Sequence, residues 1–391
     1  MKLAMIGVGQ AGGKVLERFV EYDSRTEAGV VEDAIAVNTA RADLTGLDRI
    51  PESNRVLVGQ SRVKGHGVGA DNELGAEITE EDIDEIQGAI DRVPTHEIDA
   101  FLIIAALGGG TGSGGSPVLA KYLKRIYTEP VYGLGILPAK DEGGIYTLNA
   151  ARSLRTFVSQ VDNLLLFDND AWRKAGESVS GGYDEINEEI ATRFGVLFSS
   201  GEAGSGADVG ESVVDSSEVI NTLSDGGIST LGYAAEPVNG GGGSGFVSRL
   251  FSGDRAPDDS VDTTNRITSL TRKAALGRLT LPCDISGAER ALLVVAGPRA
   301  YLNRKGIEKS RKWLEEETGS MEIRGGDYPV DSSNQVAVAV LLSNVSDVPR
   351  ISELQGKAVE AQDTIRDIRD RSEAGLEDLI TDENDELDPL F

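Results

Sequence analysis

In 391 residues the chain has one cysteine, two histidines, three methionines, two tryptophans and only 5% aromatic residues. The lone thiol, Cys283, excludes an internal disulfide and fits a reducing compartment. His66 and His96 lie far apart with no second thiol to join them, so a structural zinc site lacks its ligands. No apolar run approaches the roughly 20 residues of a membrane-spanning helix, and the opening MKLAMIGVGQ reaches glycine too early for a secretion signal. The expected location is the cytoplasm, without direct membrane insertion. Positive charge is also scarce: 38 Lys and Arg against 65 Asp and Glu give a net charge of −27. That balance argues against nucleic acid or an anionic membrane surface as partner. It suits a cytoplasm of high salt, where screening removes most self-repulsion, and points to a halophile, by expectation an archaeon. An acidic mesophilic protein is the other reading.

What the chain has in excess is glycine, 48 residues gathered in clusters. Such clusters mark places where backbone must approach something closely. Leu3–Ile6, Ala34–Val37, Arg55–Val58, Phe101–Ala106, Val131–Leu137 and Asn163–Phe167 read as buried strands separated by helical patterns, the first helix running to about Tyr22. Continuous apolar strands alternating with helices predict an α/β fold whose parallel sheet is covered on both faces. Ligands of such sheets bind at the carboxyl edge. A central helix is expected over Tyr183–Phe198, with Ile186, Ile190 and Phe194 on one side, followed by a polar loop over Ser199–Gly210. An α+β second domain follows, with strands at Ala291–Ala296 and Val336–Leu342 and helices at Thr264–Leu276 and Arg304–Glu317. Within it, Pro237–Thr263 reads as a long mobile loop. Ile351, Leu354, Ala358, Ala361, Ile365 and Ile368 form a helical stripe suited to lie on the protein's own body, ahead of an acidic tail. The expected division is a nucleotide-binding domain over 1–182, a connecting helix and loop over 183–212, a second domain over 213–345 and a C-terminal segment over 346–391.

Three glycine loops carry the chemistry. Gly7-Val8-Gly9-Gln10-Ala11-Gly12 matches G-x-G-x-x-G between strand and helix, where backbone N–H groups can hold phosphate. Tight strand–helix packing without a ligand fits the same pattern. A dehydrogenase would carry an acid where Asn38-Thr39 stands, and a Walker loop would carry Ser or Thr where Val15 follows Lys14. The stretch Gly108 to Gly115 says more, because six of its eight residues are glycine. Bare N–H groups there can wrap an anion, Thr111 and Ser113 add hydroxyl donors, and Pro117 suits the first turn of the next helix. Lys64 to Gly75 is either a cover for a terminal phosphate or a mobile surface loop. Finally, Asp215-Ser216-Ser217-Glu218 sets two carboxylates on one helix face. They can position and deprotonate a water, and D-x-x-E is equally a helix-capping box.

Together these loops resemble the tubulin/FtsZ superfamily of polymerising GTPases. Its signature G-G-G-T-G-[ST]-G is matched throughout by Gly108-Gly109-Gly110-Thr111-Gly112-Ser113-Gly114. Gly9-Gln10-Ala11-Gly12 is similar to tubulin's G-Q-C-G, with Gly13 in place of the following Asn. Gly67, Gly69, Glu73 and Gly75 fit the loop near the γ-phosphate, and Pro138, Glu142 and Gly143 fit the P-x-x-x-E-G of FtsZ. Asp168-Asn169-Asp170-Ala171 and Tyr183-Asp184-Glu185-Ile186-Asn187 resemble tubulin's D-N-E-A and Y-G-D-L-N. The resemblance implies GTP or GDP held by Gly9, Gln10, Ala11, Gly12, Gly13, Lys14, Gly69, Ala70 and the 108–113 loop, with Mg2+ alongside the phosphates. Glu142 would contact the ribose, Tyr183 would stack on the base, and Asn169 and Asn187 would bond its edge. An amide alone does not exclude adenine, and Tyr183 can equally be an inward-packing aromatic. Asp215 and Glu218 would be catalytic acids supplied to the nucleotide of the next subunit. Val213 stands where bacterial FtsZ usually has Asn.

The resemblance covers most of 1–345 and, with the acidic bias, is greatest to the haloarchaeal CetZ branch. It implies a cytoskeletal GTPase that self-associates into filaments and serves cell shape, with unidentified protein adaptors as further partners. The rivals are a nucleotide-binding structural or regulatory protein with little hydrolysis, and a dinucleotide-dependent oxidoreductase.

Overall fold

Ten strands form one sheet in the computed structural model, which describes residues 1–173, 179–201, 214–238 and 259–362. They are β1 (Leu3–Val8), β2 (Val31–Asn38), β3 (Arg55–Leu57), β4 (Ala100–Ala106), β5 (Val131–Leu137), β6 (Asn163–Asp168), β7 (Ile228–Pro237), β8 (Arg290–Gly297), β9 (Glu322–Pro329) and β10 (Gln335–Ser343). Their spatial order is β3-β2-β1-β4-β5-β6-β7-β10-β8-β9. Every neighbouring pair is parallel except the two made by β10, which runs against β7 and β8.

The predicted two-sided parallel sheet is borne out, for a reason visible in single strands. Successive side chains point to opposite faces, and both faces are covered. Ile6 and Ile103 join Leu119 and Phe157 in one apolar cluster, while Met5 and Ile104 join Leu16, Phe19 and Phe194 in the other. The helix Val179–Ser199 extends the expected central helix. It buries Ile186, Ile190 and Phe194.

The two halves share the sheet through a narrow seam, because β6 meets β7 at only Leu164–Ile228 and Leu165–Ser229. A buried polar knot reinforces it. Asn163 Nδ2 donates to the Gly226 carbonyl at 2.8 Å, and Ser229 Oγ donates to Asn163 Oδ1 at 2.6 Å. Satisfied networks of this kind fix a unique register where ladder bonds are few.

Three sequence expectations change. The strands β7 and β9 went unforeseen, since small residues and glycines dilute their pattern; β9 is also an edge strand, where charge and a terminal proline are ordinary. The expected loop Pro237–Thr263 gives up residues at both ends, since Pro237 closes β7 and the helix Asp259–Leu276 includes its last residues; positions 239–258 lie outside the described residues, as does most of the expected loop after Ser199. Pro117 is the seventh residue of the helix Thr111–Ile126 and not in its first turn. A proline there cannot donate to the Ser113 carbonyl, and Ser153 Oγ does so instead at 2.8 Å. The C-terminal stripe does lie on the body: the helix over 349–362 buries Leu354 and Ala358, with Ile365 and Ile368 outside the described residues. No helix among the described residues is long and apolar enough to cross a membrane.

Candidate functional site

From β1 the chain goes on to β2 on one side, and from β4 to β5 on the other. At such a reversal the loops after adjacent parallel strands part and leave a crevice. The glycine loops at Gly9 and Gly108 are the ones that follow β1 and β4. Each opens a helix, Gly9–Thr26 or Thr111–Ile126, whose N-cap has no side-chain hydrogen bond. The two helix starts abut, so a Cβ on Gly9 would lie 3.0 Å from the Gly112 amide nitrogen. Adjacent uncapped N-termini aim unpaired N–H groups and positive dipole ends at one spot, where an anion is favoured. A third helix, Gly144–Gln160, also begins without a side-chain cap.

The glycines serve two purposes: some permit close packing between segments, and others leave open space. A Cβ on Gly110 would sit 2.5 Å from the Gly69 carbonyl, and one on Gly75 would sit 2.5 Å from the Gly110 carbonyl. One on Gly114 would run into the Asn72 carbonyl. These three let the helix Asn72–Glu81 press against Thr111–Ile126. Gly109 and Gly69, by contrast, have nothing within 4 Å of a built Cβ. Gly69 also has a φ of 60°, a left-handed conformation that favours glycine.

The hydroxyls expected as ligand donors are engaged inside the protein. Thr111 Oγ1 pairs with Thr39 Oγ1 at 2.7 Å, and Ser113 Oγ donates to the Gly109 carbonyl. Gln10 is exposed, Ala11 half-buried, and Gly12 and Gly13 buried. The Lys14 ammonium is taken up by the Gly46 carbonyl at 2.8 Å and Glu17 at 3.7 Å. Asn38, where a dehydrogenase would have its acid, donates to Asp43 at 3.1 Å.

Sequence reasoning missed Asn149. It is 1% exposed, and its Nδ2 donates to the carbonyls of Ala70 at 2.7 Å and Gly108 at 3.0 Å. One amide therefore ties two glycine loops together. The available signal was a polar residue on the buried side of a helix, between Leu148 and Ala150. Asn149→Ala leaves two carbonyls without their donor, at about 1–3 kcal/mol for each one left buried and unsatisfied. Nucleotide titration should show weaker binding, thermal unfolding a lower midpoint, and Asn149→Asp no recovery, because a carboxylate cannot donate.

At the other end of the crevice, Tyr183 Oη donates to Glu142 Oε1 at 2.8 Å, and the Ala139 amide donates to the same oxygen at 2.7 Å. Burial and the adjacent carboxylate push the Tyr183 phenol far above its ordinary range. Asn169 begins the short helix after β6 and is 7% exposed, and its Oδ1 has no hydrogen-bond partner. A buried amide oxygen without a donor is costly, and a ligand N–H would satisfy it. Asn187 lies one turn beyond Tyr183 and is half-buried.

The two acids are elsewhere. Asp215 N-caps the helix Ser216–Leu223, accepting from the Glu218 amide at 3.0 Å and from Ser217 Oγ at 2.5 Å. This helix leads into β7, which runs parallel to β6, so it stands at the amino edge of the sheet. A Cβ on Gly201 would lie 2.9 Å from both the Met1 nitrogen and Ser216 Cα, which puts Ser216 beside the start of β1. The glycine crevice is at the opposite edge, and six residues of β1 at about 3.3 Å each put roughly 20 Å between them. The neighbouring acids also differ. The Ser217 hydroxyl chiefly holds the Asp215 carboxyl below its usual range, with amide bonds helping, whereas burial and then the Asp215 charge push Glu218 up.

Comparison with known proteins bears on the family. Residues 2–177 match the family model for the tubulin/FtsZ GTPase domain, and residues 176–360 match that for the tubulin-like CetZ C-terminal domain. Tubulin-like protein CetZ1 of Haloferax volcanii is 71% identical over 376 residues, covering 94% of each chain. The structure is similar to the GDP-bound CetZ1 monomer from that organism, with a TM-score of 0.83 and 68% identity over 93% of this chain and all (100%) of that one. It is also similar to the GTPγS-bound protofilament of CetZ2, again from Haloferax volcanii, with a TM-score of 0.82 and 47% identity over 94% of this chain and 100% of that one. The chain is a tubulin-like GTPase and belongs to the CetZ family.

Proposed function

We propose that this protein binds GTP in the crevice between the Gly9 and Gly108 loops, assembles head to tail, and hydrolyses GTP where one subunit's Asp215 and Glu218 meet the nucleotide of the next. The observation that carries this reading is the separation of about 20 Å between crevice and acids, along a strand of six residues. Acids at one end of the sheet cannot serve their own crevice at the other. A second copy stacked along the strand direction brings the two together. A contact between two different surfaces does not close on itself and builds an open filament. A similar chain, CetZ2, forms a GTPγS-bound protofilament.

In the crevice the uncapped helix N-termini take the phosphates. Mg2+ would accompany the phosphates as Mg·GTP, adding positive charge beside them. Tyr183 lies against the base, Glu142 reaches the ribose, and Asn169 and Asn187 meet the base edge. The unpartnered Asn169 Oδ1 suits the N–H groups that guanine offers.

The acids divide their work through their different proton affinities. Asp215 stays ionised, holds the helix start and orients the water. Glu218, with the higher pKa, takes the proton as the water oxygen bonds the γ-phosphorus and the bond to the β–γ bridging oxygen breaks, giving GDP and phosphate. Only ionised Glu218 can accept that proton. Turnover should therefore fall with falling pH along a limb above the ordinary Glu range near 4.3, and a pH–rate profile of assembled protein checks this. A role in cell shape follows from the family resemblance.

The deciding experiment is sedimentation with and without GTP, with phosphate release measured in the same samples at molar KCl. Pelleting and release that rise together with protein concentration support assembly-coupled hydrolysis. Pelleting without release favours the alternative, a nucleotide-dependent structural protein.

A further inference from the structure

The helix over 349–362 reaches the proposed nucleoside end of the crevice through one buried cation. Arg350 is 6% exposed. Its Nε donates to Asp168 Oδ1 at 3.2 Å, its Nη2 to the Pro138 carbonyl at 2.7 Å, and its Nη1 to Glu353 at 3.2 Å. Asp168 precedes Asn169 and caps its short helix, accepting from the Asp170 amide at 3.2 Å. Pro138 opens the segment that ends in Glu142. A guanidinium is a planar fork that can hold two acceptors in fixed relation, and here it holds the strand end before Asn169 and the loop before Glu142. A second bridge runs beside it: Lys140 Nζ meets Glu353 at 2.9 Å and Asp170 at 3.6 Å.

We propose that Arg350 is a positioning residue for nucleoside binding, so that docking of the C-terminal helix and occupancy of the crevice by nucleotide reinforce each other. This rests on the reading that Asn169 and Glu142 face the nucleoside. Burial alone would drive the Asp168 carboxylate toward its neutral form, and the facing Arg350 charge opposes that. An ion pair this deep contributes little net stability compared with an apolar pair of the same volume. Its geometry, across two segments of the crevice, gives it a use that packing would not. By linkage, whatever holds the helix in place tightens nucleotide binding, and nucleotide holds the helix by the same factor.

The test uses the full chain at molar KCl. GDP affinity is measured by titration for the parent, Arg350→Lys and Asn169→Ala, and GTP turnover is followed for the parent and Arg350→Lys. Lysine keeps the charge but cannot span Asp168 and Pro138 together. Arg350→Lys should weaken GDP binding about tenfold, within the usual range of coupling between sites, and raise KM for GTP while leaving kcat at saturation near the parent value. Amide hydrogen exchange on the parent supplies a readout that needs no variant: GDP should slow exchange across 349–362. Unchanged GDP affinity in Arg350→Lys, a kcat loss at constant KM, or exchange in 349–362 indifferent to GDP overturns the proposal. Loss of affinity in Asn169→Ala but not in Arg350→Lys removes the positioning role alone. Loss in neither removes the assignment of Asn169 with it.

Discussion

A Glu218→Ala protein will bind GTP as the parent does and still sediment with it, yet release phosphate about 10²–10⁴-fold more slowly, the usual contribution of a positioned general base. Binding survives because Glu218 stands at the amino edge of the sheet, away from the crevice of its own subunit. Folding survives because the Glu218 side chain is half-buried and the helix is capped by Asp215, not by Glu218. Asp215 needs more care, since Asp215→Ala removes a cap at about 1 kcal/mol along with a charge, whereas Asp215→Ser keeps a good cap. Mixing tests whether the acids act across subunits. Glu218→Ala has intact crevices and no base; a crevice-blocked partner has the base and no nucleotide. If catalysis is shared, equal parts should release phosphate well above the sum of the two alone. A mixture no faster than that sum, or a Glu218→Ala enzyme of parental turnover, sinks the shared site.

Gly114→Ala and Gly109→Val, five positions apart in one motif, should fail in opposite ways. A methyl at 114 meets the Asn72 carbonyl and, at 2.7 Å, the Ala76 nitrogen. Both are helix backbone and cannot swing aside, so the helices Asn72–Glu81 and Thr111–Ile126 must separate. Overpacking of that kind costs about 1–3 kcal/mol or more, and calorimetry should show a clearly lower unfolding midpoint even without nucleotide. Side chain added at 109 starts in open space, with no atom within 4 Å of its Cβ. The fold of Gly109→Val should melt like the parent, while its isopropyl group occupies room the phosphates need, and titration should show GTP affinity reduced at least about 100-fold, the equivalent of roughly 2.7 kcal/mol. This is also the crevice-blocked partner for the mixing test. Loss of stability at 109, or none at 114, would reverse the division between packing and ligand glycines.

The fold was legible where strands are buried on both faces, because β1, β4, β5 and β6 then read as unbroken apolar runs whatever lies beside them. It was not legible at β9, whose Arg324-Gly325-Gly326-Asp327 takes its strand character from pairing with β8. Nor could the helix start at Thr111 be read from a glycine run, since glycine favours no backbone conformation strongly. There the start is held by contacts from distant segments, among them the packing of Asn72–Glu81 and the Ser153 bond to the Ser113 carbonyl.

The sequence by itself determined the kind of chemistry: glycine loops at strand ends, a paired acid motif, and a family signature specific enough to imply a guanine nucleotide. These are local, carried by residues adjacent in the chain, and local order fixes local conformation. Tertiary structure alone decided which glycines keep two helices in contact and which leave room for a ligand. It alone placed Asn149 on two loops, Arg350 between Asp168 and the Pro138 carbonyl, and Asp215 and Glu218 at the far edge from the crevice. Each of those depends on which carbonyl or carboxylate from a distant segment is left needing a partner, and on the direction in which parallel strands run, neither of which residue spacing records.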